Sequence, residues 1–315
     1  MIKIGVVSID VSHPKAFATY LEENCMGMKY EYVAKESFRD DAQADWFVNR
    51  FGLKGKVENI SDMVDDVDIG FIQSCNWEKH FEQAMPFIEK GKPVFVDKPI
   101  VGSMKDIEKY RELVANGARI YGSSAIRYCN ELQNFLKIDV EERGEVVSIY
   151  GSCGVDEFNY AIHVMEGFSA LAQSKAVSGR YIGESLGRDG VKAETFSVNF
   201  ENGVTGVYQI INGNWYPFTF TVMTTKNTYT FGVDIGELYG SLLREIYREL
   251  KTGKSNLADS ETLINCTQAM LCGKKSKEVF DGAEVTIDML DTNDKFDGYE
   301  FEKEYGESAG VIYKD

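Results

Sequence analysis

The chain is poor in histidine, has no paired cysteines and carries no surplus of positive charge, and each shortage closes off a class of function. There are three histidines in 315 residues, and six cysteines (25, 75, 129, 153, 266 and 272) with no Cys-x-x-Cys among them. No zinc framework can be read from that set, and scattered thiols in a long chain read as free. Asp and Glu outnumber Lys and Arg by 50 to 34, a net charge of −16. That balance argues against nucleic acid, because a grip on phosphates rests on clustered basic side chains. No apolar run reaches the roughly 18 residues a membrane-spanning helix needs. The opening Met1-Ile-Lys-Ile-Gly-Val-Val lacks a signal-peptide layout and enters a strand pattern directly. No membrane partner is expected, and the expected location is cytoplasmic. Internal repeats and low-complexity linkers are also lacking.

The length exceeds what one ordinary core accommodates, so two domains are expected. A hydrophobic fraction of 43% with 27% charged residues is ordinary for a globular chain. Charge is unevenly spread: residues 281–315 hold eleven acids against three lysines, half the net total. A run of this kind reads as a solvated acidic surface. Within it, Asp291-Thr-Asn-Asp-Lys-Phe-Asp-Gly-Tyr-Glu looks calcium-like, but Lys295 and Phe296 stand where a ligand and a glycine belong.

Through residue 122, short apolar runs alternate with amphipathic stretches. Strands are predicted at 3–8, 30–34, 68–73, 93–97 and 119–122, and helices at 14–23, 40–51, 77–90 and 104–115. Strands alternating with helices of this length make βαβ units and a parallel sheet. From 123 the pattern changes. A helix (130–136), a strand (146–152) and a helix (158–172) precede extended segments at 195–200, 205–211, 218–224 and 228–233. Asn202-Gly203 and Lys226-Asn227 fall where hairpin turns would. Helices at 238–250 and 260–271 close the domain. The expected class is therefore α/β: a Rossmann-type dinucleotide-binding domain over 1–122, and an α+β domain with a largely antiparallel open sheet over 123–315.

Ligands of open parallel sheets bind beyond the carboxyl ends of the strands. The first such turn reads Ser8-Ile-Asp10-Val-Ser-His13, with none of the glycines of a dinucleotide fingerprint, and Asp10 would face a pyrophosphate. Either the turn is a degenerate fingerprint, or Asp10, Ser12 and His13 form a site of their own. After the second strand, Ser37 stands where NAD-specific folds hold an acid, and Arg39 suits a 2′-phosphate, although Glu36 adjoins it. Lys98 follows the buried run Val94-Phe-Val at the sheet edge, where partial burial would lower its pKa and make it a proton donor or relay. Asn76 is a good N-cap for the helix beginning at Trp77. Trp77 and Tyr160 are candidate pocket walls.

The stretch VDIGFIQSCNWEKHFEQAMPFIEKGKPVFVDKPIVGS over 67–103 resembles the Gfo/Idh/MocA oxidoreductases, named after glucose-fructose oxidoreductase and inositol dehydrogenase. The resemblance rests on Asn76, His80, Gly91, Lys92, Val94, Asp97, Lys98 and Pro99, with Asp97 in place of the usual Glu of Glu-Lys-Pro. Asn159-Tyr-Ala-Ile-His163 matches the family's Asp-x-x-x-His, whose i, i+4 spacing puts both side chains on one helix face. Asn159 departs from the pattern. An amide can orient His163 but cannot raise its basicity as a carboxylate would; Asp156, Glu157 and Glu166 lie nearby. Arg127 and Tyr128 match the start of the family's substrate domain.

The resemblance implies NAD or NADP as cofactor, with Ser8, Asp10, His13, Ser37, Asn76, His80, Asp97 and Lys98 beside it. It implies a cis Lys98–Pro99 bond, a small polyhydroxylated substrate such as a sugar or polyol, contacted by Trp77, Arg127 and Tyr160, and a homo-oligomer, dimer or tetramer, joined through the open sheet. In the implied chemistry His163 takes the hydroxyl proton and Lys98 polarises the same oxygen, with Asn159 as third catalytic member and no metal. Two other functions fit the same residues: NAD-assisted glycoside cleavage, or a redox-silent ligand sensor in which Ser8, Asp10 and Asn159 mark lost chemistry.

Overall fold

The computed structural model describes residues 1–24 and 26–314. Hydrophobic alternation gives way to parallel pairing in the first half. Strands β1 (Ile2–Val7), β2 (Met28–Ala34), β3 (Gly55–Val57), β4 (Ile69–Ile72), β5 (Val94–Val96) and β6 (Ile120–Gly122) form one parallel sheet in the order β3-β2-β1-β4-β5-β6. Between them run α1 (His13–Glu23), α2 (Asp41–Phe51), α3 (Ser61–Val64), α4 (His80–Glu89) and α5 (Met104–Ala115). Strands β4 and β5 are buried along their whole length, as a sheet covered on both faces requires. The order reverses between β1 and β4, and the crevice for a ligand opens at that switch. Residues 55–64, unassigned from sequence, supply β3 and α3, both too short for a periodicity to register.

The second half holds α6 (Asn130–Lys137), α7 (Val140–Arg143), β7 (Val146–Val155), α8 (Ala161–Ala172), β8 (Ala176–Leu186), β9 (Lys192–Phe200), β10 (Thr205–Asn212), β11 (Thr219–Thr224), β12 (Thr228–Gly232), α9 (Leu238–Thr252), α10 (Ser260–Glu278), β13 (Val285–Thr286) and α11 (Gly298–Ser308). Its seven strands run β12-β11-β7-β10-β9-β8-β13, antiparallel except for the parallel pair β7 and β10. Both expected hairpins are present, at β9–β10 and β11–β12. Helix α8 is buried on every side, and α10 lies along β8 so closely that a Cβ on Gly179 would stand 2.6 Å from the Ala269 carbonyl. A larger residue there would push the helix off the sheet.

Two features depart from expectation. Strand β8 went unassigned because its two glycines and exposed outer half break the alternation. The acidic stretch is not simply solvated. Part of it is α11, capped by Asp297, whose carboxylate accepts the N–H groups of Tyr299 and Glu300. The calcium-like carboxylates Asp291 and Asp294 are taken by the Lys275 ammonium at 2.9 and 2.7 Å. Cys75, Cys129, Cys153, Cys266 and Cys272 are free and buried; Cys25 lies outside the described residues. Among the described residues no helix is long and apolar enough to cross a membrane, and no group of three or more His, Cys, Asp or Glu is placed to hold a metal.

Candidate active site

Strand β5 ends on Val96, and the chain turns through Asp97 and Lys98 into a cis peptide at Pro99. Lys98 Nζ donates to the backbone carbonyl and to Oδ1 of Asn159, both at 2.9 Å, and lies 5.4 Å from the centre of the Tyr160 ring. Burial pushes its pKa down, against the opposing pull of Asp97, Asp156 and Glu166. Asn159 belongs to the turn that starts α8. Asp156 fixes that turn by accepting the N–H groups of Phe158 and Tyr160, and its charge supports the Lys98 cation. The amide of Asn159 is therefore spent on Lys98; the partner of the His163 ring is Ser124, whose Oγ lies 2.5 Å from Nδ1.

Glu166, one turn beyond His163, holds the assembly from below. Its carboxylate accepts the Ser124 N–H at 2.8 Å, the Ser123 hydroxyl, and the Arg127 guanidinium at 3.3 Å. Arg127 is thus placed away from Lys98, buried on Glu166, and faces a separate cavity of about 350 Å³ with Gln133 and Lys175. Ser123, Ser124 and the supporting role of Glu166 were not legible beforehand. The only signal is the i, i+3 spacing of His163 and Glu166, which puts them on one face.

From the other side, His13 opens α1 and its Nδ1 meets Asp97 Oδ2 at 2.7 Å, while the ring stacks on Phe17. The same oxygen accepts Gln73 Nε2 at 3.3 Å, and Gln73 Oε1 accepts the Tyr30 hydroxyl at 2.7 Å. Burial alone would raise the Asp97 pKa, but His13, the Lys98 charge and the Lys98 N–H hold it below its usual value. Ser12, His13, Lys98, Asn159, Tyr160 and Tyr305 enclose a cavity of about 50 Å³.

Residues 16–124 match a family described as an oxidoreductase family with an NAD-binding Rossmann fold. Among curated proteins, none matches the sequence. Solved structures share the fold over most of the chain. A myo-inositol dehydrogenase from Lactobacillus casei in complex with NAD(H) and myo-inositol is 13% identical, with a TM-score of 0.79 over 93% of this chain and 98% of that one. A scyllo-inositol dehydrogenase from the same organism, with NAD(H) and scyllo-inositol, is 16% identical, with a TM-score of 0.77 over 91% and 99%. A probable dehydrogenase from Thermotoga maritima is 14% identical, with a TM-score of 0.78 over 92% and 100%.

The oxidoreductase family is NAD-binding, and the first-turn residues can be tested against a dinucleotide. Ser8 takes a positive φ of 70° without being glycine. Asp10 is fully buried and turned away from the crevice: Oδ2 accepts the Cys75 N–H at 2.9 Å, and Oδ1 accepts the Ser37 hydroxyl at 2.5 Å. Arg39 donates to the Asp10 carbonyl through Nε at 2.9 Å and Nη2 at 2.6 Å. Residues 297–314 then cross the carboxyl edge of the sheet. Arg39 Nη1 also donates to the Gly310 carbonyl, the Tyr313 hydroxyl donates to the Val11 carbonyl, and Lys15 donates to the carbonyls of Ile312 and Lys314. In this arrangement the crevice does not fit a dinucleotide.

The other expected cofactor and substrate contacts are also committed elsewhere. Asn76 caps the turn at Trp77 through Oδ1, as expected, but its amide donates to Glu302 of α11 at 3.0 Å. A Cβ on Gly298 would stand 2.3 Å from Asn76 Oδ1, so α11 can approach only with glycine there. Trp77 is no pocket wall; it is buried beneath α11, donating to the Phe296 carbonyl and packing on Phe158 and Phe301. His80 is fully buried between the carbonyls of Ser74 and Ile100, 3.0 and 3.3 Å from its ring nitrogens, and does not face the cavity.

Burial lowers the pKa of both His80 and His163, in the latter well below the usual value. Unfolding returns each to about 6.5. Below that pH the unfolded chain binds protons that the folded chain refuses, so stability falls as pH drops through about 6.5 toward the folded values. Asp97 adds to the same trend at lower pH, its contribution disappearing as pH falls from about 3.9 through its depressed value. Denaturant midpoints should be lower at pH 5.5 than at 7.5, and His163→Asn should flatten the difference. Equal midpoints in the parent chain would mean that neither imidazole is held neutral.

Proposed function

We propose that the protein is an NAD(P)-dependent oxidoreductase acting on a CH–OH group of a small polyhydroxylated substrate. The observation that carries this reading is Lys98. It stands at the carboxyl end of a central parallel strand, and two of its three N–H groups are used on Asn159, which leaves one for a substrate oxygen in the cavity beside Tyr160. Its depressed pKa suits a group that donates a hydrogen bond to that oxygen and can exchange its proton. His163, fixed by Ser124, is the base for the hydroxyl proton. Buried and neutral, it is poised to accept. The family assignment supports redox chemistry, and the inositol dehydrogenases among the similar folds support a polyol. Pairing of two copies through the open sheet is part of the same reading, supported by Tyr150 and Met223, which stand exposed on the face away from α8.

The test is turnover of NAD+ and NADP+ across a panel of polyols and sugars, followed by nicotinamide absorbance. Where a substrate is found, Asn159→Asp should move the basic limb of the pH–rate profile to higher pH, because a carboxylate beside Nζ favours the ammonium. A raised acid limb instead would place position 159 on His163. A second reading, a redox-silent ligand sensor, is favoured by one observation: residues 297–314 occupy the crevice. Absence of turnover across the panel, with ligands still bound, would select it.

A further inference from the structure

Three cations around the crevice, Lys15, Arg39 and Lys79, donate to residues 297–314. Lys79 pairs with Glu302 at 2.7 Å, Arg39 holds the Gly310 carbonyl at 2.7 Å, and Lys15 holds two carbonyls at 3.1 Å each. These donors surround the loops after β1, β2 and β4, where an adenine dinucleotide crosses a sheet of this order. The segment also walls the cavity at Lys98, since Tyr305 is part of its lining. It supplies what such a ligand would supply: acceptor oxygens for Arg39 and Lys15, a carboxylate for Lys79, and rings at Phe301, tilted against Trp77, and Tyr305, edge-on to Phe38.

Its apolar attachment is thin. Of α11, only Gly298 is buried, while Tyr299 is 54% exposed. The firm anchors lie at the two ends, Phe296 stacked on Phe158 and Tyr313 set against Trp46 and Phe47. An element held at its ends, with few buried apolar contacts between, opens at far lower cost than the core. It holds five acids against two lysines, so a dianionic diphosphate and the segment repel each other and compete for the same donors.

We infer that residues 297–314 are an internal competitor of the dinucleotide, a strap that closes the crevice in the unliganded protein and must leave it for NAD(H) or NADP(H) to enter. This rests on the reading of the crevice as a dinucleotide site. A ligand that binds only the open form has its affinity lowered by the fraction of molecules that are open, so a strap closed about nine-tenths of the time conceals a tenfold affinity. Arg39 is the group handed over, released from Gly310 when the strap lifts.

The experiment uses the full chain and two independent variants. Tyr313→Ala removes the terminal anchor, and Glu302→Lys sets like charges against Lys79. NADH and NADPH are titrated by calorimetry, and hydrogen exchange of the α11 amides is followed with and without each. Both variants should lose α11 protection and bind one of the dinucleotides at least about tenfold more tightly than the parent chain. In the parent chain, saturation should strip protection from α11. If the variants lose α11 protection yet bind as the parent does, or if the parent binds with α11 protection intact, the competition is wrong and the dinucleotide site stands. If the strap is released and neither NADH nor NADPH binds at millimolar concentration, the reading of the crevice falls, and the competition with it. A variant that melts early is replaced by the other, since the two touch opposite ends of the strap.

Discussion

Lys98→Ala lowers turnover by roughly 10²-fold or more, the range for a positioned proton-handling group, while the folded chain keeps its stability. The two halves of this expectation come from the same fact. Burial already disfavours the Lys98 ammonium, so removing it relieves a cost, whereas the hydrogen bonds it loses to Asn159 leave two acceptors beside a polar cavity. Steady-state rates on the substrate found in the polyol panel, with thermal melts of both proteins, check it. A melt that falls in step with the rate would make Lys98 a structural tie. An unchanged rate would remove it from the chemistry.

Glu166→Ala is expected to cost about 3–5 kcal/mol of folding stability, the range for breaking a buried ion pair from one side. The Arg127 guanidinium, 10% exposed at its side chain, is left without its carboxylate, and the Ser124 N–H and Ser123 hydroxyl lose their acceptor together. Ser124 then no longer fixes the His163 ring, so activity should fall further than the fraction unfolded explains. Denaturant melts of Glu166→Ala and of Glu166→Ala with Arg127→Met measure the charge share: the second change should recover part of the loss. No recovery would mean that Arg127 is satisfied by other groups.

The sequence carried most of the first sheet because a parallel strand buried on both faces reads as an unbroken apolar run, as in Ile69–Ile72 and Val94–Val96. It carried Lys98, Asn159 and His13 to one cleft, through their positions at strand ends and helix starts, with His163 buried behind it on Ser124. It could not show which of them touch. Asn159 turns to Lys98 rather than to His163, and that choice depends on a turn built by Asp156. Arg127 and Trp77 were legible as important but not as buried, since each is sequestered by a distant partner, Glu166 and α11. Helix α11 was hidden because its face toward the crevice is made of glycine, one carboxylate and two aromatic rings, which leaves little apolar periodicity to detect.

Asp10 ties its own loop after β1 to those after β2 and β4: its buried carboxylate accepts from Ser37 and Cys75, and its backbone carbonyl accepts from Arg39. A glycine-rich turn in its place would leave that edge to be ordered by an incoming anion, at an entropic cost met during binding. Here the anion is covalently part of the turn, so the rigid state of the rim is reached when the chain folds. The turn itself is preorganised, so a ligand that enters has only the strap above it to reorder.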